Sequence, residues 1–202
     1  MSTGTVPVVG VNRARTVDEL VEFLRSCDGV FDSLGPDGDP IDILQHGLQC
    51  AHVLAQREPD DVELQVAGLV HDLGHVVVPN DPTAPIAHGE IGAAYVRTLL
   101  GDRVAQLTAL HVPAKRYLVA TDPAYGRRLS DGSTVSLEMQ GGAMTTEEVK
   151  VFEADSNGAD AAKLRRADEA AKVIGRVVPD LVSWIPAIEA VAARATSDAR
   201  AG

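Results

Sequence analysis

The sequence predicts an all-α fold, a single helical domain in which several helices turn polar residues toward one centre. Three observations predict it. Apolar residues recur at helical spacing in one segment after another, capping and breaker residues punctuate those segments, and no stretch alternates like a half-buried strand. With 202 residues, 45% of them hydrophobic, the chain is long enough to close one sizeable core.

Residues 1–15 read as a flexible arm ahead of one domain over 16–202. Thr16 suits an N-cap, and Glu19 three positions on completes a capping box for a helix through Val17–Leu24. The breaker-rich stretch from Leu34 to Pro40 is a loop. From Ile43, helical spacing continues through Leu44, Leu48, Ala51 and Leu54 and stops near Pro59. Asp60 or Asp61 caps the next helix. That segment is apolar nearly all round up to His75, as a buried central helix would be. After a loop over 79–85, a helix runs from about His88 to Leu100 and closes at Gly101. Another runs from Asp102 to His111, where Pro113 disfavours continuation. Residues 122–144 are rich in Gly, Ser, Asp, Thr and Pro and read as a long irregular loop, usually a functional feature in a compact domain. Helices resume at Thr145–Phe152, Ala159–Val177 and Pro179–Ala193, the last interrupted at Pro186.

The formal charge of −11, without a Lys/Arg cluster, argues against a nucleic-acid surface. Aromatics at 3% offer no stacking platform for bases. Cys27 and Cys50 lack CxxC spacing, so neither a disulfide framework nor a thiolate site is expected. Residues 1–16 carry no charged-then-apolar targeting pattern, and no run approaches the ~20 apolar residues of a membrane span. The expectation is a cytoplasmic protein without membrane or nucleic-acid partners, monomeric or homodimeric.

The most informative feature is His71-Asp72, inside Val70-His71-Asp72-Leu73-Gly74-His75. Neighbouring residues on a helix point about 100° apart, so the two cannot stack on one face. They can serve one site if the imidazole binds one ion while the carboxylate reaches across two. Imidazole and carboxylate suit iron, manganese, zinc or magnesium. His46 shares a helical face with Cys50. His88 opens a helix after a loop, where a cap is the alternative reading. His111 lies at an expected helix end, where a structural histidine is also favourable. Asp168 sits among Ala167, Ala170 and Ala171, and an inward unpaired carboxylate there would need a cation. His52 is rotated away from His46 and reads as a surface residue. His71-x-x-x-His75 differs from the zinc-protease word His-Glu-x-x-His, which needs a Glu base and an unbroken helix.

The order His…His-Asp…His…His…Asp resembles the HD-domain superfamily, and four stretches narrow the likeness. Leu44–Ala51, Ala67–His75, His111–Leu118 and Gln140–Met144 together resemble the HD-domain mixed-valent diiron oxygenases, in particular the 2-amino-1-hydroxyethylphosphonate dioxygenase branch, relatives of myo-inositol oxygenase. The likeness covers roughly residues 40–175, and the His-Val-x-Ala-Lys-Arg-Tyr-Leu word is its most specific part. It implies an HD-domain helical bundle holding a mixed-valent Fe(II)/Fe(III) pair, with O₂ as co-substrate. It places His46, His71 and Asp168 on one iron and His88 and His111 on the other, with Asp72 bridging. It further implies that Lys115 meets the anionic group of a small organophosphonate. His75 and Arg165 would line the same pocket, and a loop carrying Ser130, Ser133, Ser136 and Gln140 would close over it. Asp72, His75 and Lys115 are then the catalytic set.

The activity so implied is oxidative cleavage of the C–P bond of a 1-hydroxyphosphonate to phosphate and a carboxylic acid. The same ligands would also serve an HD phosphohydrolase acting on a phosphate ester or nucleotide. A metal-stabilised interaction domain would leave six inward ligands and a lysine without a task. One departure stands out. The family guards an open iron position with a Tyr and a Glu in the loop before the first ligand. Here that loop has no tyrosine, and Asp39 stands where the Glu would be. Pro113 inside the His-Val-x-Ala-Lys word is a smaller departure.

Overall fold

The computed structural model describes residues 13–32, 40–78 and 84–201, and among them every regular element is helical. The first helix, α1 (Val17–Ser26), is capped by Thr16, whose side chain accepts the Glu19 N–H. The Glu19 carboxylate returns to the Arg15 N–H at 2.8 Å, not to that of Thr16, so half of the expected capping box is displaced by one residue. Ala14 is buried, and its N–H donates to the Tyr95 carbonyl at 3.0 Å, which ties the end of the N-terminal segment to the body. Residues 1–12 lie outside the described residues.

The centre is built from α2 (Ile43–Arg57), α3 (Val62–Val70), α5 (Ala84–Thr121) and α9 (Gly158–Ala170). Asp42 caps α2 and Asp61 caps α3. Two glycines let α2 and α3 approach closely. A side chain at Gly47 would run into the Leu69 carbonyl, and one at Gly68 would meet Leu54 and Cys50. The interface closes over Leu48, Leu54, Leu64 and Val66, all buried, and burying a leucine stabilises by about 1.5–3 kcal/mol.

The structure corrects four boundaries. First, α3 stops at Val70, and residues 71–73 form a turn before the short α4 (Gly74–Val77), so the central helix does not run on to His75. Second, α5 does not end at His111. It breaks at Gly101, whose φ of 84° only glycine adopts easily, folds back, and continues through Pro113 to Thr121. The proline removes one donor to the Ala109 carbonyl. Gly89 lies against that carbonyl and the Thr108 one, where even a built Cβ would be 3.1 and 3.2 Å away, and burial of Ala114 and Leu118 favours continuation.

Third, the stretch 122–144 is largely helical, with α6 (Pro123–Gly126) capped by Asp122 and α7 (Asp131–Met139) capped by Ser130. Its composition carries weak helical propensity, and α7 depends on bonds made from outside it. The Ser130 N–H donates to Glu169 at 2.6 Å, and Lys172 Nζ donates to Ser130 and Ser133. Fourth, α9 ends at Ala170, well short of Val177. The carbonyls of Ala170, Ala171 and Val173 are engaged by Arg176, His46 and Gln49, which a continuing helix could not allow. The remaining helices are α8 (Thr146–Ala154), with a complete Thr145/Glu148 capping box, and α10 (Leu181–Ala201), which runs through Pro186. α10 lays Trp184, Ile188 and Val191 against the core on the side of α1, α3 and α5.

Candidate metal centre

His46 comes from the second turn of α2, His71 and Asp72 from the turn after α3, His88 and His111 from the two folded-back arms of α5, and Asp168 from the last turn of α9. The structure brings all six together. The Asp72 Oδ2 lies 3.3 Å from His46 Nε2 and 3.2 Å from His71 Nε2. Its Oδ1 lies 3.6 Å from His88 Nε2 and 3.5 Å from His111 Nε2. Asp168 closes the first set, 3.2 Å from His46 Nε2 and 3.6 Å from His71 Nε2. One carboxylate therefore faces two separate imidazole pairs, one pair per oxygen.

The rings are aimed by their far nitrogens. His71 Nδ1 sits 2.8 Å from the Gly68 carbonyl, His111 Nδ1 2.6 Å from Thr108, and His46 Nδ1 3.3 Å from Ala171. A carbonyl accepts only from N–H, so each ring carries a proton on Nδ1 and turns Nε2 inward, the atom that a metal ion would take, displacing any proton held there. The donor set fits metal ions. His71 Nε2 is buried without a hydrogen-bond partner, and the Nε2 atoms of His88 and His111 approach to 2.8 Å, a contact that a shared cation would explain.

The electrostatics agree. Burial alone would lower the histidines, yet the Asp168 and Asp72 carboxylates hold His46 up at about 8, and Asp72 with Asp168 hold His71 at about 10. His88 and His111 go the other way, lowered chiefly by burial. Both carboxylates are held well below their usual range despite burial, Asp72 by His71 and Asp168 by Arg165. Without metal, protons on His46 and His71 offset the two carboxylates, and metal ions would take the place of those protons.

Other site expectations divide. His75 is half-buried and stacks on His88, ring centroids 4.0 Å apart. It can also join Asp72 and His88 as a third donor. Lys115, buried one turn beyond His111, donates to Ser136 at 2.6 Å, and burial, aided by Arg165, pushes it down to about 7. Ser133 is buried between Arg165 Nη2 (2.8 Å), Lys172 Nζ (2.7 Å) and Glu169 Oε2 (3.1 Å). Gln140 caps the end of α7 and lines a small cavity with Gly89, Val112, Pro113 and Arg116. Arg165 is buried and fully engaged, donating to Asp168, to Glu169 at 2.8 Å, to Ser133 and to the Tyr125 hydroxyl at 2.7 Å. His52 stands apart, with Gln56 at 3.1 Å.

Glu169 was not singled out in the sequence, although its i,i+4 spacing from Arg165 was visible there. It fastens α7 to α9 through the Ser130 N–H and Ser133. The three tyrosines lie elsewhere: Tyr95 against Phe23, Tyr117 stacked on Phe152, and Tyr125 on Arg165. Asp39 falls outside the described residues.

Comparison with known proteins matches this architecture. An HD-domain model matches residues 43–159, which contain five of the six converging residues. The chain is 35% identical, over 84% of its length and 89% of the relative's, to 1-hydroxy-2-(trimethylamino)ethylphosphonate dioxygenase (glycine-betaine-forming) of Leisingera caerulea. It is 38% identical, over 72% of its length and 75% of the relative's, to hydroxymethylphosphonate dioxygenase of Gimesia maris. No described helix is long and apolar enough to cross a membrane. With helices, His/Asp cluster and relatives in agreement, the chain belongs to the HD-domain proteins and, among them, to the phosphonate dioxygenase enzymes.

Proposed function

We propose that this enzyme uses a pair of iron ions and O₂ to cleave the C–P bond of a small 1-hydroxyphosphonate, giving phosphate and a carboxylate. The observation that carries the reading is Asp72, whose two oxygens each face a different pair of imidazoles. Two-metal sites hold their ions about 3.5–4 Å apart, a span one bridging carboxylate covers. His46, His71 and Asp168 would hold one ion and His88 and His111 the other. Bound there, the iron pair supplies activation of O₂ and a Lewis-acidic anchor for substrate oxygens.

The chain's own residues supply the rest. Lys115, as an ammonium, takes the phosphonate charge, and Ser136 holds its Nζ in place. His75 borders the second ion's ligand His88 and lines the substrate space. Arg165 neutralises Asp168 and keeps it ionised and oriented. In balance, the substrate dianion R–CH(OH)–PO₃²⁻ and O₂ give R–COO⁻, HPO₄²⁻ and one proton. The C–H and C–P bonds break, carbon is oxidised to the carboxyl level, and O₂ is reduced. The two relatives act on phosphonates with and without a trimethylamino group, by their names, and share the carbinol carbon next to phosphorus. That carbinol phosphonate is the substrate class assigned here.

The test is iron-loaded protein prepared without oxygen, then exposed to O₂ with hydroxymethylphosphonate and with 1-hydroxy-2-(trimethylamino)ethylphosphonate. Stoichiometric O₂ uptake and phosphate release are expected. Phosphate release from a phosphate ester without O₂ uptake would replace this reading with a hydrolase.

A further inference from the structure

A second cationic feature lies behind the metal centre. Arg57 at the end of α2, Arg128 after α6 and Arg166 on the outer face of α9 line a groove of about 480 Å³ with Tyr125, Glu169 and Ala170. In a chain of net charge −11, this is a local reversal of sign. Its one carboxylate, Glu169, is turned inward to Arg165, Ser130 and Ser133. Arg166 pairs with Asp122 at 2.9 Å. Arg57 reaches only the Arg166 carbonyl, at 3.5 Å, and the Arg128 side chain has no ion pair or hydrogen bond among the described residues.

The contrast with Arg103 is informative. Arg103 is saturated by Asp61, Glu63 and Asp160, and the cavity beside it carries Glu58, Asp60, Asp61 and Glu63, with Arg57 on the edge it shares with the groove. The groove at Arg128 has guanidinium forks left over, and their planar donors match tetrahedral phosphorus oxyanions bidentately. The groove volume falls in the usual range for small-molecule sites, about 300–1,000 Å³. One layer separates it from the centre. Tyr125 forms its wall, with Arg166 5.7 Å over the ring, while the Tyr125 hydroxyl accepts from Arg165, which holds Asp168.

We propose that this groove is a second anion site, which binds a phosphate or phosphonate oxyanion on Arg57, Arg128 and Arg166, apart from the metal centre. The site itself stands on the groove, and only its service to product or substrate rests on the phosphonate reading.

The test titrates inorganic phosphate and methylphosphonate calorimetrically into the isolated protein of measured metal content, at constant ionic strength. Lys115→Ala removes the centre's ammonium but not its metal ions, so the groove is read from the part of the remaining anion binding that its own arginines control. Adding Arg128→Ala, a side chain with no partner among the described residues, should weaken that remaining binding at least tenfold with an unchanged melting temperature. Arg57→Ala should act in the same direction. Tighter phosphate would mark a dock for product and tighter methylphosphonate a relay for substrate, and either retains the site. Binding that vanishes in Lys115→Ala alone, or is indifferent to Arg128→Ala and Arg57→Ala, would overturn it.

Discussion

Gly74 lies in direct contact with the backbone carbonyl of His88, so any side chain at position 74 would occupy the space of that carbonyl. The glycine after the His71-Asp72 turn is therefore what allows the first arm of α5 to bring His88 to Asp72. Gly74→Ala should force the two segments apart, at about 1–3 kcal/mol for overpacking, or roughly 2–12 °C in melting temperature for a chain of this size. Metal analysis should show the ion at His88 and His111 lost before the one at His46. Equal loss of both ions would contradict the separate-pair geometry.

Asp72 reaches both imidazole pairs. Asp72→Ala should therefore abolish stoichiometric binding of both ions, whereas Asp168→Ala should weaken the His46/His71 ion most. The second variant also removes one of the two carboxylates on buried Arg165 and leaves Glu169, so it should cost less than the ~3–5 kcal/mol of a fully unpaired buried charge. Elemental analysis of purified variants, with chemical denaturation alongside, reads both effects.

Lys115 is held at about 7 by burial and by Arg165, so its ammonium is lost as pH rises above that value. If it grips the phosphonate, kcat/KM should fall about tenfold per pH unit above the transition. Lys115→Arg, which cannot deprotonate, should remove that limb. Lys115→Ala should raise KM steeply with iron content unchanged, and loss of iron in that variant would assign the residue a different role.

The metal-free protein should have an unusual stability profile. The folded-state values of His46 (about 8) and His71 (about 10) exceed the ordinary 6.5, so the stability they contribute is fully present below 6.5 and is lost as pH climbs through 8 to 10. His88 and His111 are lowered, so they oppose protonation and cost stability as pH falls below 6.5. Calorimetry should find the melting temperature falling between pH 7 and 10 without metal. Bound metal replaces those protons and should flatten the fall.

No tyrosine is placed to ligate the centre: Tyr125 is spent on Arg165, Tyr117 is stacked on Phe152, and Tyr95 lies against Phe23. The ferric, substrate-free protein should lack a visible tyrosinate-to-iron charge-transfer band. An intense band would show that one of these residues leaves its place.

The helical class, the cap at Thr16, a cap at Asp60 or Asp61, and the family resemblance were legible in the sequence because each rests on neighbours in the chain, a 3.6-residue period or a residue type at a fixed offset. The six histidine and aspartate positions could likewise be picked out by chemical type and order. What the tertiary structure decided is where local rules are overridden by distant contacts. α5 continues through Pro113 because Ala114 and Leu118 are buried beyond it. α7 forms from weak helix formers because Glu169 and Lys172 hold its first turn. α9 stops at Ala170 because His46 and Gln49, more than a hundred residues away, take the carbonyls of the segment that follows. The separation of the two imidazole pairs across Asp72 belongs to the same class, since only the fold-back at Gly101 sets His88 beside His111. A residue's identity limits what it can donate or accept, but which partner it meets depends on packing between segments that no local period records.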